Sequence, residues 1–159
     1  MIRCTFLLKG HGLSTLSVPG VGFFPAYSGN AGGHRNNPDS VAVVKVGPLP
    51  PGKYYIVDRP TGGRMGGIND LTNSLLSGSN RSLWFGLYRE DSHLDDITFI
   101  DQVQRGAFRL HPAGYSGFSE GCITLPNHSH YAILRGALLQ TSTVRVSGSL
   151  TAHGTLQVY

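Results

Sequence analysis

Two residues in one short segment are equipped for covalent chemistry. His111 ends the run Phe108–His111 (FRLH), and Cys122 follows eleven residues later in the turn Ser119-Glu120-Gly121-Cys122. A neutral imidazole can take a thiol proton and leave a thiolate beside an imidazolium, provided a loop brings the two to ~3 Å. Gly117 and Gly121 allow the chain to fold back in this way. A glycine directly before the nucleophile also clears the approach of a carbonyl, and N–H groups around Gly121 and Cys122 can hold an oxyanion. The spacing fits equally a structural histidine beside a core strand and an inert buried thiol, so both readings stand on these residues alone.

Other constellations compete. His111, Cys122, His128 and His130 fall within twenty residues and are of types that zinc accepts. His128 and His130 lie two apart at a helix start, however, and point in different directions there. Tyr27, Tyr54, Tyr88 and Tyr115 could line the surface of a non-enzymatic binding module, although strands normally bury such residues. A papain-like pair would need its cysteine before its histidine, and only His128, His130 and His153 follow Cys122.

The elements that position His111 and Cys122 are mostly short strands. Ile2–Lys9, Val18–Phe24 (interrupted by Pro19 and Gly20), Val41–Val46, Lys53–Val57, Leu83–Tyr88, Ile97–Ile100, Phe108–His111, Val144–Val146 and Leu156–Tyr159 read as strands. Val41–Val46 and Lys53–Val57 form an expected hairpin across GPLPPG, and the strands at 83–88 and 97–100 are expected in the core. One helix follows Cys122, with Asn127 as its cap and Tyr131, Leu134 and Leu138 on one stripe, Ile133 and Ala137 alongside. Pro25–Ser40 is a long Gly/Asn/Pro/Ser loop and a candidate wall of the site. Asp58–Gly67 is glycine-rich but lacks a phosphate-loop pattern.

At 159 residues with 40% hydrophobic and 14% charged residues, the chain suits a single domain, 1–159, and neither a coiled coil nor a disordered polymer. Its 22 glycines show no collagen period and imply many turns. The expected class is mainly β, a β-sandwich or barrel. The net charge of +4 favours an anionic partner, but the basic residues are scattered singly, without a nucleic-acid-binding pattern. Five of the nine acids lie between Glu90 and Asp101, a stretch that reads as a solvated turn. Two cysteines do not make a disulfide scaffold, and Cys4 sits in the first strand without special neighbours. Neither a classical signal peptide nor a membrane-spanning run is visible, so no membrane insertion is expected.

The segment FRLHPAGYSGFSEGCITL (Phe108–Leu125) resembles the catalytic segment of L,D-transpeptidase (YkuD-type) domains, where a histidine precedes a Ser/Thr-x-Gly-Cys motif. FPAYSGN (Phe24–Asn30) and GPLPPGKYYI (Gly47–Ile56) are similar to further markers of its compact branch, the Tlde1-like type VI secretion effectors directed at the cell wall. The resemblance implies an L,D-transpeptidase-like fold with Cys122 as nucleophile, His111 as base, and Ser119, Glu120 and Gly121 as oxyanion or positioning residues. It departs where ordinary members carry a second histidine and an arginine, since Glu120 and Thr124 stand there. Tyr27, Ser28, Arg109, Tyr115 and Arg64 are the candidate substrate-binding residues, with Arg105 a further source of positive charge. The implied substrate is the peptidoglycan stem peptide, cut or exchanged between residues three and four through a thioacyl-enzyme, without a cofactor or metal. A cell-wall-binding module and a zinc hydrolase using His111, Cys122, His128 and His130 are the alternatives. Expected partners are a cognate immunity protein and type VI components, with export lacking a classical signal and action in the periplasm of target bacteria.

Overall fold

The computed structural model describes residues 1–60 and 80–159. Its strands are β1 (Ile2–Phe6), β2 (Ser14–Val18), β3 (Gly22–Ala26), β4 (Gly52–Asp58), β5 (Phe85–Arg89), β6 (Ile97–Ile100), β7 (Val103–Gly106), β8 (Arg109–Pro112), β9 (Ile123–Leu125), β10 (Val144–Ser147) and β11 (Leu150–Val158). A single α-helix among the described residues, α1 (His128–Gln140), follows β9. Eight strands pair in the order β3-β2-β1-β11-β4-β5-β8-β9, with β10 on β11 and β6–β7 a separate ribbon.

The two ends of that path meet. Tyr27, just past β3, bridges to Thr124 in β9: Tyr27 N–H donates to Thr124 O at 3.0 Å, and Thr124 N–H to Tyr27 O at 2.8 Å. The sheet is thus a nearly closed eight-stranded barrel, the mainly-β class expected, with its helix after the cysteine. Alternation fills the interior. Cys4 and Phe6 of β1, Leu16 and Val18 of β2, Tyr54 and Ile56 of β4, and Leu156 and Val158 of β11 are all buried in one core.

Helix α1 contributes Tyr131, Leu134 and Leu138 to the core at positions i, i+3 and i+7, while Ile133 faces solvent. Asn127 caps it, its side-chain oxygen accepting from Ser129 N–H at 2.8 Å and His130 N–H at 3.2 Å. The Tyr131 hydroxyl donates to Leu83 O at 2.6 Å, tying the helix to the turn before β5.

Several strand expectations need correction. Val41–Val46 is not a strand, and β4 pairs with β11 and β5 instead. The run follows a 3₁₀ turn at Pro38–Ser40 and continues turning: Val43 N–H donates to Ser40 O and Gly47 N–H to Val43 O, both at 2.9 Å, with Lys45 at φ +67°. Buried Arg105 stabilises this irregular path by donating to the carbonyls of Val41, Gly47 and Pro48. Pro19 and Gly20 do not interrupt a strand but form the turn of a β2–β3 hairpin. Strand β6 is not a core strand, since Ile97 and Phe99 are exposed and only Thr98 points inward. Strand β7 is too short and polar to announce itself, and β11 is much longer than its apolar end, because Thr151–Thr155 (TAHGT) carries no alternation to detect.

Replacing Asn127 by Ala removes two cap bonds. Chemical denaturation should show a loss of about 1 kcal/mol of stability without a change of fold.

Candidate active site

Strands β8 and β9 run parallel side by side, with Leu110 opposite Ile123, His111 opposite Thr124 and Pro112 opposite Leu125. Neighbouring parallel strands usually need a crossover of a dozen or more residues. Here the ten residues Ala113–Cys122 make the return without a helix. Because side chains alternate, Leu110 and Ile123 enter the core while His111, Thr124, Arg109 and Cys122 share the other face. His111 and Cys122 line one cleft of about 440 Å³ together with Arg59, Arg81, Trp84 and Glu120.

The loop that delivers Cys122 is fastened from behind. Ser119 N–H donates to Asn30 Oδ1 at 2.8 Å, the Ser119 hydroxyl donates to Cys122 O at 2.9 Å, and Gly29 N–H donates to Ser119 Oγ at 3.2 Å. The Tyr27 hydroxyl donates to Gly117 O at 3.2 Å. Gly121 has φ +102°, and a Cβ there would meet Phe108 Cε1 at 2.6 Å and Arg105 Nη2 at 2.8 Å. Glycine is therefore required by both backbone conformation and packing.

His111 is held on three sides. Its Nδ1 lies 2.7 Å from Pro112 O, an acceptor only, so Nδ1 carries the proton and Nε2 is left as the base. Trp84 stacks on the ring, with centroids 4.2 Å apart and planes 20° apart. Thr124 Oγ1 stands 3.4 Å from Nε2. Burial pulls the imidazole down to about 4, opposed by the Pro112 bond and reinforced by the Arg81 charge. Cys122 is reached from the cleft, yet burial of its sulfur pushes the thiol up to about 11. The Arg109 backbone N–H and guanidinium favour the thiolate, and Glu120 and Asp96 oppose it. No hydrogen bond joins Nε2 to the thiol, and the resting pair is neutral imidazole and neutral thiol.

The remaining sequence-derived residues divide sharply. Arg109 faces the cleft, but its guanidinium is paired with Asp96 through two contacts of 2.6 Å. Arg105 is buried in its structural role. Ser28 is fully buried, its hydroxyl accepting from Leu49 N–H at 2.7 Å, and Tyr27 is buried behind the cysteine loop under the Arg35 guanidinium. Residues 25–40 are therefore a buttress behind the site and not its wall. Tyr115 is 85% exposed and lies outside the cleft lining, and Arg64 lies outside the described residues. The cleft's Arg59, Arg81 and Trp84 were not anticipated: Trp84 sits in an apolar run that reads as core, and an isolated Arg carries no sequence signal.

The alternative sites do not assemble. Among the described residues, no three His, Cys, Asp or Glu side chains come together to hold a metal ion. His128 Nε2 donates to Ala113 O at 2.7 Å, whereas the His130 ring leans on Phe24, so neither turns with His111 and Cys122 toward a common point. His153 is paired with Asp58 at 2.9 Å. Tyr27 and Tyr54 are buried, which leaves no shared tyrosine surface. No helix among the described residues is long and apolar enough to cross a membrane.

A nearly closed mainly-β barrel bearing this cysteine–histidine cleft between parallel strands is the L,D-transpeptidase-like class of domain. The family model of the Tlde1 domain matches residues 22–149, from β3 to the turn before β11, and the chain belongs to that family. Comparison with curated proteins and with solved structures gives no match. Family membership carries an enzymatic, peptidoglycan-modifying role associated with type VI secretion, for proteins generally exported to the periplasm of target bacteria.

Two outcomes are expected of this geometry. Gly121→Ala should cost about 2–4 kcal/mol in denaturant unfolding, since the added methyl meets a buried ring in a left-handed conformation. Alkylation of Cys122 by iodoacetamide at pH 7 should be roughly a hundredfold slower than that of a thiol of ordinary pKa and climb steeply toward pH 11. Fast alkylation already at pH 6 would instead reveal a resting thiolate–imidazolium pair.

Proposed function

We propose that the protein is a cysteine enzyme that opens the bond between residues three and four of the peptidoglycan stem peptide. The observation that supports it is the parallel β8–β9 register, which sets Cys122 and His111 on one face of one cleft. Cys122 Sγ attacks the carbonyl of the L-centre of residue three, a diamino acid, and its proton passes to His111 Nε2. Backbone N–H groups around Gly121 and Cys122 hold the oxyanion. The carbon–nitrogen bond to the D-residue breaks, that amine leaves with the proton from His111, and a thioester remains. Water, activated by His111, then gives an L,D-carboxypeptidase product, whereas a D-amino acid or a neighbouring stem amine gives exchange or cross-linking.

The neutral resting pair fits this sequence. Neither an exposed thiolate nor a charged imidazole waits in the cleft, so proton transfer accompanies attack once the substrate has displaced water. Arg59 and Arg81 place positive charge beside the base, in reach of an anionic wall fragment. Glu120, exposed at the cleft, cannot donate to an oxyanion and opposes the thiolate, so the oxyanion role falls to the backbone. Ser119 and Gly121 position the nucleophile from behind. A cognate immunity protein, type VI delivery machinery and a periplasmic site of action complete the reading, with neither nucleic acid nor membrane insertion involved.

Purified protein incubated with wall tetrapeptides, with and without a free D-amino acid, should release or exchange the terminal D-Ala by mass spectrometry. Cys122→Ala should abolish both, and His111→Ala should reduce them by about 10²-fold or more. Wild-type protein that releases nothing, exchanges nothing and never carries a covalent label on Cys122 sinks the assignment.

A further inference from the structure

The amine that leaves residue three must meet His111, the group that protonates it, so the surroundings of His111 are also those of the departing D-residue. In an amino acid the carboxylate carbon lies two bonds, about 2.5 Å, from that nitrogen. A D-residue that ends its peptide therefore brings a full negative charge into the cleft beside the base.

The groups around Trp84 are suited to receive it. The indole stacks on the His111 ring with centroids 4.2 Å apart, and the same indole carries two guanidiniums, Arg81 Cζ at 5.3 Å and Arg59 Cζ at 5.9 Å from its centroid. Arg81 is near enough for its charge to act on the imidazole. Both arginines line the cleft of His111 and Cys122 and also border an adjoining cavity of about 240 Å³. Arg135 of α1 brings a third positive charge to that cavity, its Nε–H donating to Leu83 O at 3.2 Å. Among the described residues, the one acid of the adjoining cavity, Asp58, is bonded to His153 Nε2 at 2.9 Å, and the one acid lining the cleft, Glu120, belongs to the cysteine turn.

Contact with a ring holds a guanidinium in place without using an N–H. The five N–H donors of an arginine suffice for a structural partner and a bidentate carboxylate together. The other arginines near the site are engaged differently: Arg109 already holds both oxygens of Asp96, and Arg105 holds three backbone carbonyls.

We propose that Arg59 and Arg81, set on Trp84, form a carboxylate clamp for the departing D-residue, so that the enzyme selects stem peptides ending at residue four with a free carboxylate. The inference rests on the stem-peptide reading and adds to it which end of the substrate is recognised. The clamp also selects the acceptor, because exchange reverses departure through the same geometry. A neutral amine bearing a carboxylate on the adjacent carbon bonds the thioester carbonyl carbon, one of its N–H protons passes to His111 Nε2, the carbon–sulfur bond breaks, and His111 returns the proton to Cys122 Sγ.

The test compares a wall tetrapeptide ending in D-Ala with the same peptide ending in D-alaninamide. Wild type should favour the acid about 100-fold in kcat/KM, and Arg59→Gln or Arg81→Gln should collapse that ratio to about fivefold or less. A wild-type ratio near one, or variants that slow acid and amide alike, overturns the clamp, since general damage to the site would leave the preference in place. If Arg81→Gln does not fold, Arg81→Lys takes its place, keeping the charge and losing the fork; its ratio should fall about tenfold, and an unchanged ratio counts against the clamp. Trp84 is the chain's one tryptophan, so its fluorescence reports on the clamp without turnover. D-Alanine should perturb it saturably, D-alaninamide should not, and Arg59→Gln should weaken the response. No response, or an equal response to both, overturns the clamp. Absence of product from either peptide with wild type would strike the stem-peptide reading, and the fluorescence titration would then judge the clamp separately.

Discussion

The pairing of β8 with β9 is the constraint on which the rest of the molecule depends. It is parallel, short, and reached by only ten residues of connection, so it cannot be maintained by the two strands alone. The Tyr27–Thr124 bridge holds its outer edge and closes the barrel in the same act. Register matters here more than elsewhere, because a slip of one residue would send Cys122 and Thr124 into the core and bring Ile123 out into the cleft. Complete burial of Ile123 and Leu125 opposes that slip, so the hydrophobic core and the reactive face are two sides of one pairing.

The surroundings of that pairing explain its electrostatics. Low-polarity packing keeps both reactive groups neutral at rest, Trp84 covering one face of the imidazole and the Pro112 carbonyl fixing its tautomer. Arginines are plentiful nearby, but they play different parts. Arg105 replaces a missing strand partner for the 41–48 segment by bonding its carbonyls, and Arg109 is neutralised by Asp96 while lending its backbone N–H to the cysteine. The two arginines that border the base, Arg59 and Arg81, come from segments distant in sequence from both His111 and Cys122.

A second consequence concerns the residues that surround the nucleophile in sequence. Ser119 and Gly121 look like parts of a catalytic motif, and the structure gives each a mechanical reason to be there. Ser119 ties the cysteine loop to Gly29 and to the Cys122 carbonyl, and Gly121 makes a turn that no side chain fits against Phe108. The 25–40 loop supports this construction from below, using Ser28, Asn30, Arg35 and Asn36 for internal bonds. Ser28 and Tyr27 belong to that support, and what a substrate meets is the opposite side.

Local chemistry was legible in the chain itself. The strand ending at His111, the tight Ser-Glu-Gly-Cys turn, the Asn127 cap and the Tyr131–Leu134–Leu138 stripe are short-range features, set by backbone sterics and by periodicities that lie within a few residues of one another. Val41–Val46 misled because β-branching records a preference for extended backbone but not whether a partner strand is available, and β11 was underestimated because a strand buried at the centre of a barrel need not alternate. Nothing local could show that Trp84 leaves its apolar run to cover His111, that Asp96 claims Arg109, or that Thr124 meets both His111 and Tyr27. Those contacts join residues far apart in the chain and exist only because barrel closure brings β3, β8 and β9 together. The sequence by itself determined which groups could react, and the tertiary structure decided their partners, since a side chain's partners and its state of protonation are set by neighbours that only folding supplies.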